Sequence, residues 1–190
     1  MTVQPVLPPV PTEPAGLPSP EGFRAACAQF ATGVVAVTAS ADGVTCGSTV
    51  NSFTSLTLDP PQVLVCLART STTWSAIERS GAFAVNVLAA DQLPVARLLA
   101  SKEPEKMSRI GTRPGLRGLP LIQGALSWFE CDLSEAVPSG THLVLIGSVL
   151  RVRSDAGKAP AVFFRSQLLP GLPAGGSSAG PSAGPAPVAR

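Results

Sequence analysis

Gly47-Ser48-Thr49-Val50-Asn51-Ser52-Phe53-Thr54-Ser55-Leu56-Thr57-Leu58-Asp59-Pro60-Pro61-Gln62-Val63-Leu64-Val65-Cys66-Leu67-Ala68-Arg69 sets a cluster of hydroxyls and an amide between two runs that read as strands. Upstream, Gly33 to Ala39 and Val44 to Val50 are two β-type runs, and the Asp42-Gly43 pair between them predicts a tight hairpin. Downstream, Asp59-Pro60-Pro61 stops any helix, and Val63-Leu64-Val65-Cys66-Leu67 restarts as a buried strand. Thr49, Asn51, Ser52, Thr54, Ser55 and Thr57 put donors where a core strand would be apolar. Buried hydroxyls need partners, and a polar ligand is one such partner.

Working outward, the chain reads as mainly β, a barrel with a few peripheral helices. Ser19-Pro20-Glu21 offers an N-cap, a first-turn proline and a first-turn acid, after which Phe23, Cys27 and Phe30 share a helical face that is expected to pack on the barrel. Ser71 or Thr72 caps a short helix that Gly81 closes, and Asp91 opens another with Leu93, Ala96, Leu99 and Ala100 as its stripe. Lys102 to Gly118 reads as a loop. Strands are predicted at Ala125 to Glu135, Leu143 to Arg153 and Ala161 to Arg165, with turns at Pro138-Ser139-Gly140 and Asp155-Ala156-Gly157 that predict an antiparallel meander.

Proline clusters in residues 1–19 and again, with Gly, Ser and Ala, in 170–190, so both tails read as disordered around one domain at 20–169. That leaves about 150 residues, enough to bury roughly two-thirds of the unfolded chain's surface. No stretch reads as a secretory leader or as the roughly 18 apolar residues of a membrane span, so a soluble cytoplasmic protein is expected. With 14% charged residues, a net charge of +2 and no basic stripe, nucleic acid is excluded as a partner. Cys27, Cys46, Cys66 and Cys131 have no Cys-x-x-Cys spacing and read as structural thiols. There is no Gly-x-Ser-x-Gly elbow, no His-Glu-x-x-His, a single histidine and no tyrosine, which argues against hydrolase and zinc chemistry. A Gly-rich dinucleotide fingerprint is also missing, so a nicotinamide would bind without a Rossmann helix.

The ordered blocks Thr32 to Thr38, Thr49-Val50-Asn51-Ser52-Phe53-Thr54-Ser55, Asp59-Pro60-Pro61, Val63 to Arg69 and Phe83-Ala84-Val85-Asn86-Val87-Leu88 resemble the flavin reductase family, the reductase components of two-component flavin-dependent monooxygenases. The likeness runs from about Phe23 to about Arg165. It implies the FMN-binding split β-barrel, Greek-key-like, and an NAD(P)H:flavin oxidoreductase that passes reduced FMN or FAD to a separate oxygenase, as a homodimer with flavin near the subunit seam. NADH or NADPH is the implied co-substrate. Two other readings stay open at this point: a flavoenzyme that keeps its flavin and acts directly on an organic substrate, and a non-catalytic flavin-binding barrel.

The resemblance assigns the ring and ribityl contacts to Thr49, Val50, Asn51 and Ser52 and to the strand end at Cys66, Leu67 and Ala68. It puts the phosphate near Arg69, Ser71, Thr72 and Thr73, where hydroxyls and the free amides of a helix start converge on an anion. Trp74 is a stacking candidate. Lys106 resembles a family lysine that precedes an aromatic, although Met107 stands in the aromatic's place. Ser139-Gly140-Thr141-His142 resembles the family's Gly-Asp-His turn with Thr141 for the acid, which makes His142 the nicotinamide-side residue. Arg165, in Phe163-Phe164-Arg165-Ser166, matches an arginine of the closing motif, with Ser166 in place of glycine, and is a second nicotinamide-side candidate.

Overall fold

The computed structural model describes residues 16–155 and 157–171, so most of the two tails and Ala156 of the expected turn lie outside the described residues. The strands are β1 (Thr32–Gly33), β2 (Val35–Ala41), β3 (Val44–Val50), β4 (Thr54–Leu58), β5 (Pro61–Ala68), β6 (Ala82–Val87), β7 (Thr112–Pro114), β8 (Pro120–Ile122), β9 (Ser127–Ser139), β10 (His142–Ser154), β11 (Val162–Phe164) and β12 (Gln167–Leu169). The helices are α1 (Pro20–Cys27), α2 (Thr72–Ser80) and α3 (Leu93–Ala100), with three short 3-10 turns. None is long and apolar enough to cross a membrane.

Seven strands form one antiparallel sheet in the order β3-β2-β6-β9-β10-β5-β4. The β2–β3 hairpin turns on Asp42 (φ 53°) and Gly43 (φ 77°), the doubly left-handed turn that an Asp-Gly pair favours. Although β6, β9 and β10 separate β2 from β5, Val35 and Val37 share one core cluster with Val65 and Leu67, together with Phe83, Val85, Cys131 and Leu145. The sheet therefore curls on itself into a barrel. Helix α2 adds Ala76 and Ile77 to that core, while α3 covers the outside of β2 through Ala96 and Leu99 against Val34 and Ala36. Strands β2 and β6 are buried on both faces, hence their mostly apolar runs, with Thr38 and Asn86 as buried polar exceptions. Strand β5 alternates, with Val63, Val65 and Leu67 inside.

Two local features fix the packing. Gly147 on β10 faces Phe83, whose ring is fully buried, and a Cβ there would stand 2.5 Å from Phe83 Cζ and 2.9 Å from Cys131 Cβ. Asn86, also fully buried, donates through Nδ2 to Ala36 O (2.9 Å) and Thr38 Oγ1 (3.0 Å) and accepts from Ile122 N (2.8 Å), while Thr38 Oγ1 donates to Pro120 O (2.6 Å). That satisfied network pins β8 to the barrel's outer face.

Four expectations need correction. Helix α1 forms with Ser19 as its cap, yet none of its residues is buried, and Phe23 and Phe30 are 63% and 74% exposed. An apolar stripe states which face needs cover and not what supplies it. The span from Lys102 to Gly118 is not all loop, because β7 pairs with β8 and Lys106–Arg109 is a 3-10 turn. The meander stops at the β9–β10 hairpin: β10 takes β5 as its other neighbour, and β11 joins β1 and β12 in a small separate sheet. Gln92 stands at the cap of α3, where Asp91 was expected to open the helix.

Candidate functional site

The large sheet ends in β3 and β4, so the barrel is split at two unpaired edges. Along the β3 edge runs a cleft of about 840 Å³. Its floor is Val44 to Val50. One wall is the end of β5 (Cys66, Leu67, Ala68), the turn Thr70 to Thr72 and His142; the other is the end of α3 and the segment Ser101 to Met107. The β10–β5 register puts His142 opposite Ala68, which is how a residue 74 positions later in the chain reaches this wall. An edge strand carries unpaired backbone N–H and C=O groups, so this floor can hydrogen-bond the heteroatom edge of a flat ring laid along it.

The cradle hydroxyls are largely taken up by the protein itself. Thr49 Oγ1 donates to Ala96 O (2.7 Å), tying β3 to α3. Ser52 Oγ accepts from Cys66 N (2.8 Å) and donates to Cys66 O (3.3 Å), which stitches the loop after β3 onto β5. Thr54 and Ser55 face solvent on edge strand β4. The polar run thus shapes the cleft through protein contacts.

Ser71 caps α2, accepting from Thr73 N (3.2 Å). Ser48 Oγ lies 2.8 Å from Thr73 Oγ1 and 3.3 Å from Ser71 Oγ, so the hydroxyl of Thr73, a fully buried residue, joins α2 to β3 beneath the cleft surface. The first-turn amides of α2, Ser71 and Thr72 meet at one corner of the cleft, where the helix start carries a partial positive charge. Arg69 is exposed next to this corner, its backbone N donating to Thr141 O (3.0 Å), which links it to the His142 turn. His142 is exposed, with Nδ1 2.9 Å from Thr141 Oγ1.

Lys106 reaches back from the far wall, and its Nζ donates to Leu99 O (2.7 Å) and Ser101 O (2.9 Å), closing the carboxyl end of α3. Burial pulls its ammonium below the ordinary lysine range, an effect that the nearby Cys46 opposes. Met107 covers Gly47, with Sδ 2.7 Å from where a Cβ would sit.

Thr49, Val50, Cys66, Leu67, Ala68, Ser71, Thr72, Lys106 and His142 thus line one cleft. Asn51 lines a smaller crevice of about 210 Å³ with Val34, Ala96, Phe163 and Leu168, next to the cradle. Trp74 packs against the barrel core and so fills space there. Arg165 lies at the α1 junction, its backbone N donating to Ala28 O (2.9 Å), its Nε to Gln29 Oε1 (3.3 Å) and its guanidinium over Phe164; within the chain it is not brought to the cleft. Sequence reasoning missed Val44, Thr45, Leu99, Ser101, Lys102 and Glu105, whose place in the cleft comes from packing and from no local motif. No cluster of His, Cys, Asp or Glu suited to a metal ion occurs among the described residues.

The donor set fits a flavin: an open strand edge for a planar heterocycle and a helix start for a phosphate. Residues 27–171 match the family described as the flavin reductase like domain. The chain is 42% identical over 147 residues to a flavin reductase of Pseudomonas putida, covering 77% of this chain and 86% of that one. It is 41% identical over 149 residues to the reductase subunit HsaB of a flavin-dependent monooxygenase from Mycobacterium tuberculosis, covering 78% of each. Among solved structures, it is similar to BorF, the flavin reductase component of a bacterial two-component tryptophan halogenase (TM-score 0.72, 37% identity, 78% of this chain and 95% of that one). It is also similar to the NADH:FAD oxidoreductase SgcE6 of Streptomyces globisporus (TM-score 0.77, 29% identity, 84% and 99%). With three-quarters of its length matched and an open-edged barrel to carry the site, the chain belongs to the flavin reductase-like family.

Proposed function

We propose that the chain is an NAD(P)H:flavin oxidoreductase that reduces FMN or FAD and releases it to a separate flavin-dependent monooxygenase. The observation that carries this reading is the cleft along the unpaired β3 edge, with the α2 start and His142 on one wall and the end of α3 on the other. A bound flavin would accept a hydride from reduced nicotinamide, a step that needs two rings held face to face about 3 to 3.5 Å apart and no general base. The chain's part is positioning. Backbone donors of β3 hold the ring's polar edge, where negative charge gathers on reduction. Ser71 and the α2 amides hold the phosphate, and the His142 wall leaves a face for the second ring. A cleft open along its length suits release of product more than permanent retention.

We further propose a homodimer with the cleft near its seam. The support is apolar surface that one chain leaves open: Phe23 and Phe30, and on the outer barrel face Leu56 (47% exposed) and Val137 (46%), on the same side as half-buried Leu64, Val144 and Ile146. Four free cysteines and a need for reduced nicotinamide favour the cytoplasm.

The test is steady-state oxidation of NADH and NADPH with added riboflavin, FMN or FAD, aerobically and anaerobically. Turnover that rises with free flavin and saturates is expected. No combination exceeding the uncatalysed background would sink the reductase reading, and tightly held stoichiometric flavin would move it to an enzyme that keeps its cofactor. A sedimentation mass of one chain across micromolar concentrations would remove the dimer.

A further inference from the structure

Strand β10 is paired on both sides only along its first half. Its register with β5 runs from His142 to Ser148 and stops there, because β5 begins at Pro61, next to Pro60, and neither proline has an amide N–H with which to extend the ladder. From Val149 to Ser154, β10 keeps β9 on one side, and no strand pairs with its other side among the described residues. A bulge between Val149 and Arg151 leaves Leu150 outside the register and 51% exposed, and Val152 beyond it is 58% exposed.

The side chains along this open edge carry an unbalanced charge. Arg151 stands opposite Glu130 and Arg153 opposite Trp128, so both arginines leave the sheet on the face that holds those residues. Arg113 lies over the Trp128 ring, 4.9 Å from its centroid, and Arg117 pairs with Asp132. Four arginines thus meet two carboxylates, and Glu130, the buried one, stands 3.5 Å from Arg151. Arg113 and Arg153 enter no salt bridge among the described residues. Asp155, just past the strand, accepts from Gly157 N (3.3 Å) within its own turn.

We propose that this half of β10 is a docking edge for an extended acidic segment of a protein partner, which adds to the sheet as one more strand. Its backbone takes up the N–H and C=O groups that the prolines leave unpaired, its carboxylates meet Arg151 and Arg153, and its alternate apolar residues cover Val152. A second copy of this chain is a poor occupant of the same edge. Antiparallel self-pairing about Val152 sets Arg151 of each copy against Arg153 of the other, and like charges directly opposite destabilise a ladder. Arg153 lies 11 residues along β10 from His142, roughly 35 Å of strand, so a docked partner leaves the cleft open. The edge stands whether or not that cleft binds flavin.

The probes are fluorescein-labelled peptides of alternating Val-Glu or alternating Val-Lys, each about six residues long, a typical strand length. Fluorescence anisotropy reads their binding to the full chain and to its Arg153→Glu variant, with Arg153→Gln in its place if the reversed charge unsettles the fold. A third peptide keeps the Val-Glu sequence but has alternate backbone N–H groups methylated, which removes ladder donors and leaves the charge. Arg153 is exposed and outside the cleft, so the variant's melting temperature is expected to match the original's. The original binds Val-Glu and not Val-Lys, and methylation abolishes binding. Arg153→Glu weakens Val-Glu by about tenfold or more, as the loss of a charge-assisted hydrogen bond does. That set of results supports the docking edge. Binding of neither peptide, equal binding of both, or Val-Glu binding that the variant leaves unchanged overturns it. A methylated peptide that binds as tightly as its parent reduces the surface to an ionic contact and overturns strand addition. A sedimentation mass of two chains that falls to one in Arg153→Glu shows a second copy on the edge, and overturns the proposal as well.

Discussion

Replacing Ser71 by Ala separates a helix cap from an anion site, because the hydroxyl stands in both roles. As cap, Ser71 Oγ accepts from Thr73 N at 3.2 Å, and losing an N-cap of this kind costs about 1 kcal/mol of stability. In a domain of this size that lowers the melting temperature by about 2–4 °C. If the hydroxyl also meets a phosphate, a further ~1.5–3 kcal/mol disappears from FMN binding, roughly a 10- to 150-fold rise in Kd. Riboflavin has no phosphate, so its Kd stays within about twofold. Thr73→Val is the matched control. Thr73 is fully buried with its hydroxyl 2.8 Å from Ser48 Oγ, so its loss should cost about 1 kcal/mol of stability and shift FMN and riboflavin equally, if at all. Flavin fluorescence titrations of both ligands against both variants, with thermal melts alongside, give all the needed numbers. Equal weakening of FMN and riboflavin by Ser71→Ala would refute the phosphate corner and leave a helix cap.

Three other outcomes are expected. His142→Ala raises the KM for reduced nicotinamide several-fold and leaves flavin Kd nearly unchanged, as read in steady-state kinetics; kcat falling in step with kcat/KM would show action in the transition state, and wild-type kinetics would make the residue a bystander. Gly147→Ala destabilises by about 1–3 kcal/mol in urea unfolding, since the new methyl meets the buried Phe83 ring and cannot displace it; an unchanged midpoint would mean that the β10 bulge yields. Burial first, then the charges of Asp132 and Glu130, push the Cys131 thiol from 9.0 up to about 12. Below pH 9 both states keep the proton, and between 9 and 12 the unfolded state ionises first, so stability should fall by up to about 1.4 kcal/mol per pH unit there. Urea midpoints at pH 8.5 and 10.5 should converge in Cys131→Ala relative to the original, and an unaltered pH slope would count against the buried neutral thiol.

Features set by local chemistry were legible in the sequence. The Asp42-Gly43 turn, the Asp59-Pro60-Pro61 break and the α2 bounds at Ser71 and Gly81 each follow from what a few neighbouring residues allow. The family likeness pointed to Thr49, Val50 and His142, which line one cleft, the β10–β5 register carrying His142 there. What stayed hidden depends on packing at a distance. Trp74 reads equally as a stacking ring or as core, and only the curl of the barrel packs it against the core cluster. Thr54 and Ser55 look like buried donors until β4 proves to be an edge strand. The Ser101 to Lys106 wall has no motif, because its place is fixed by Lys106 closing α3 and Met107 covering Gly47.

An unpaired strand edge invites other strands, and long flat edges lead to aggregation unless they are guarded. Here the guard and the site are one arrangement. Helix α2 is fastened to one side of β3 through Ser48, Ser71 and Thr73, and α3 to the other through Thr49 and Ala96 O. A second polypeptide strand needs about 4.8 Å of lateral room along its whole length with both flanks clear. A planar heterocycle needs only the edge and one open face. The two fastenings therefore exclude the unwanted partner while leaving the backbone donors of β3 free for a flat ligand. Loosening either one should admit self-association before it abolishes flavin binding, because the donors belong to the strand and the exclusion belongs to its flanks.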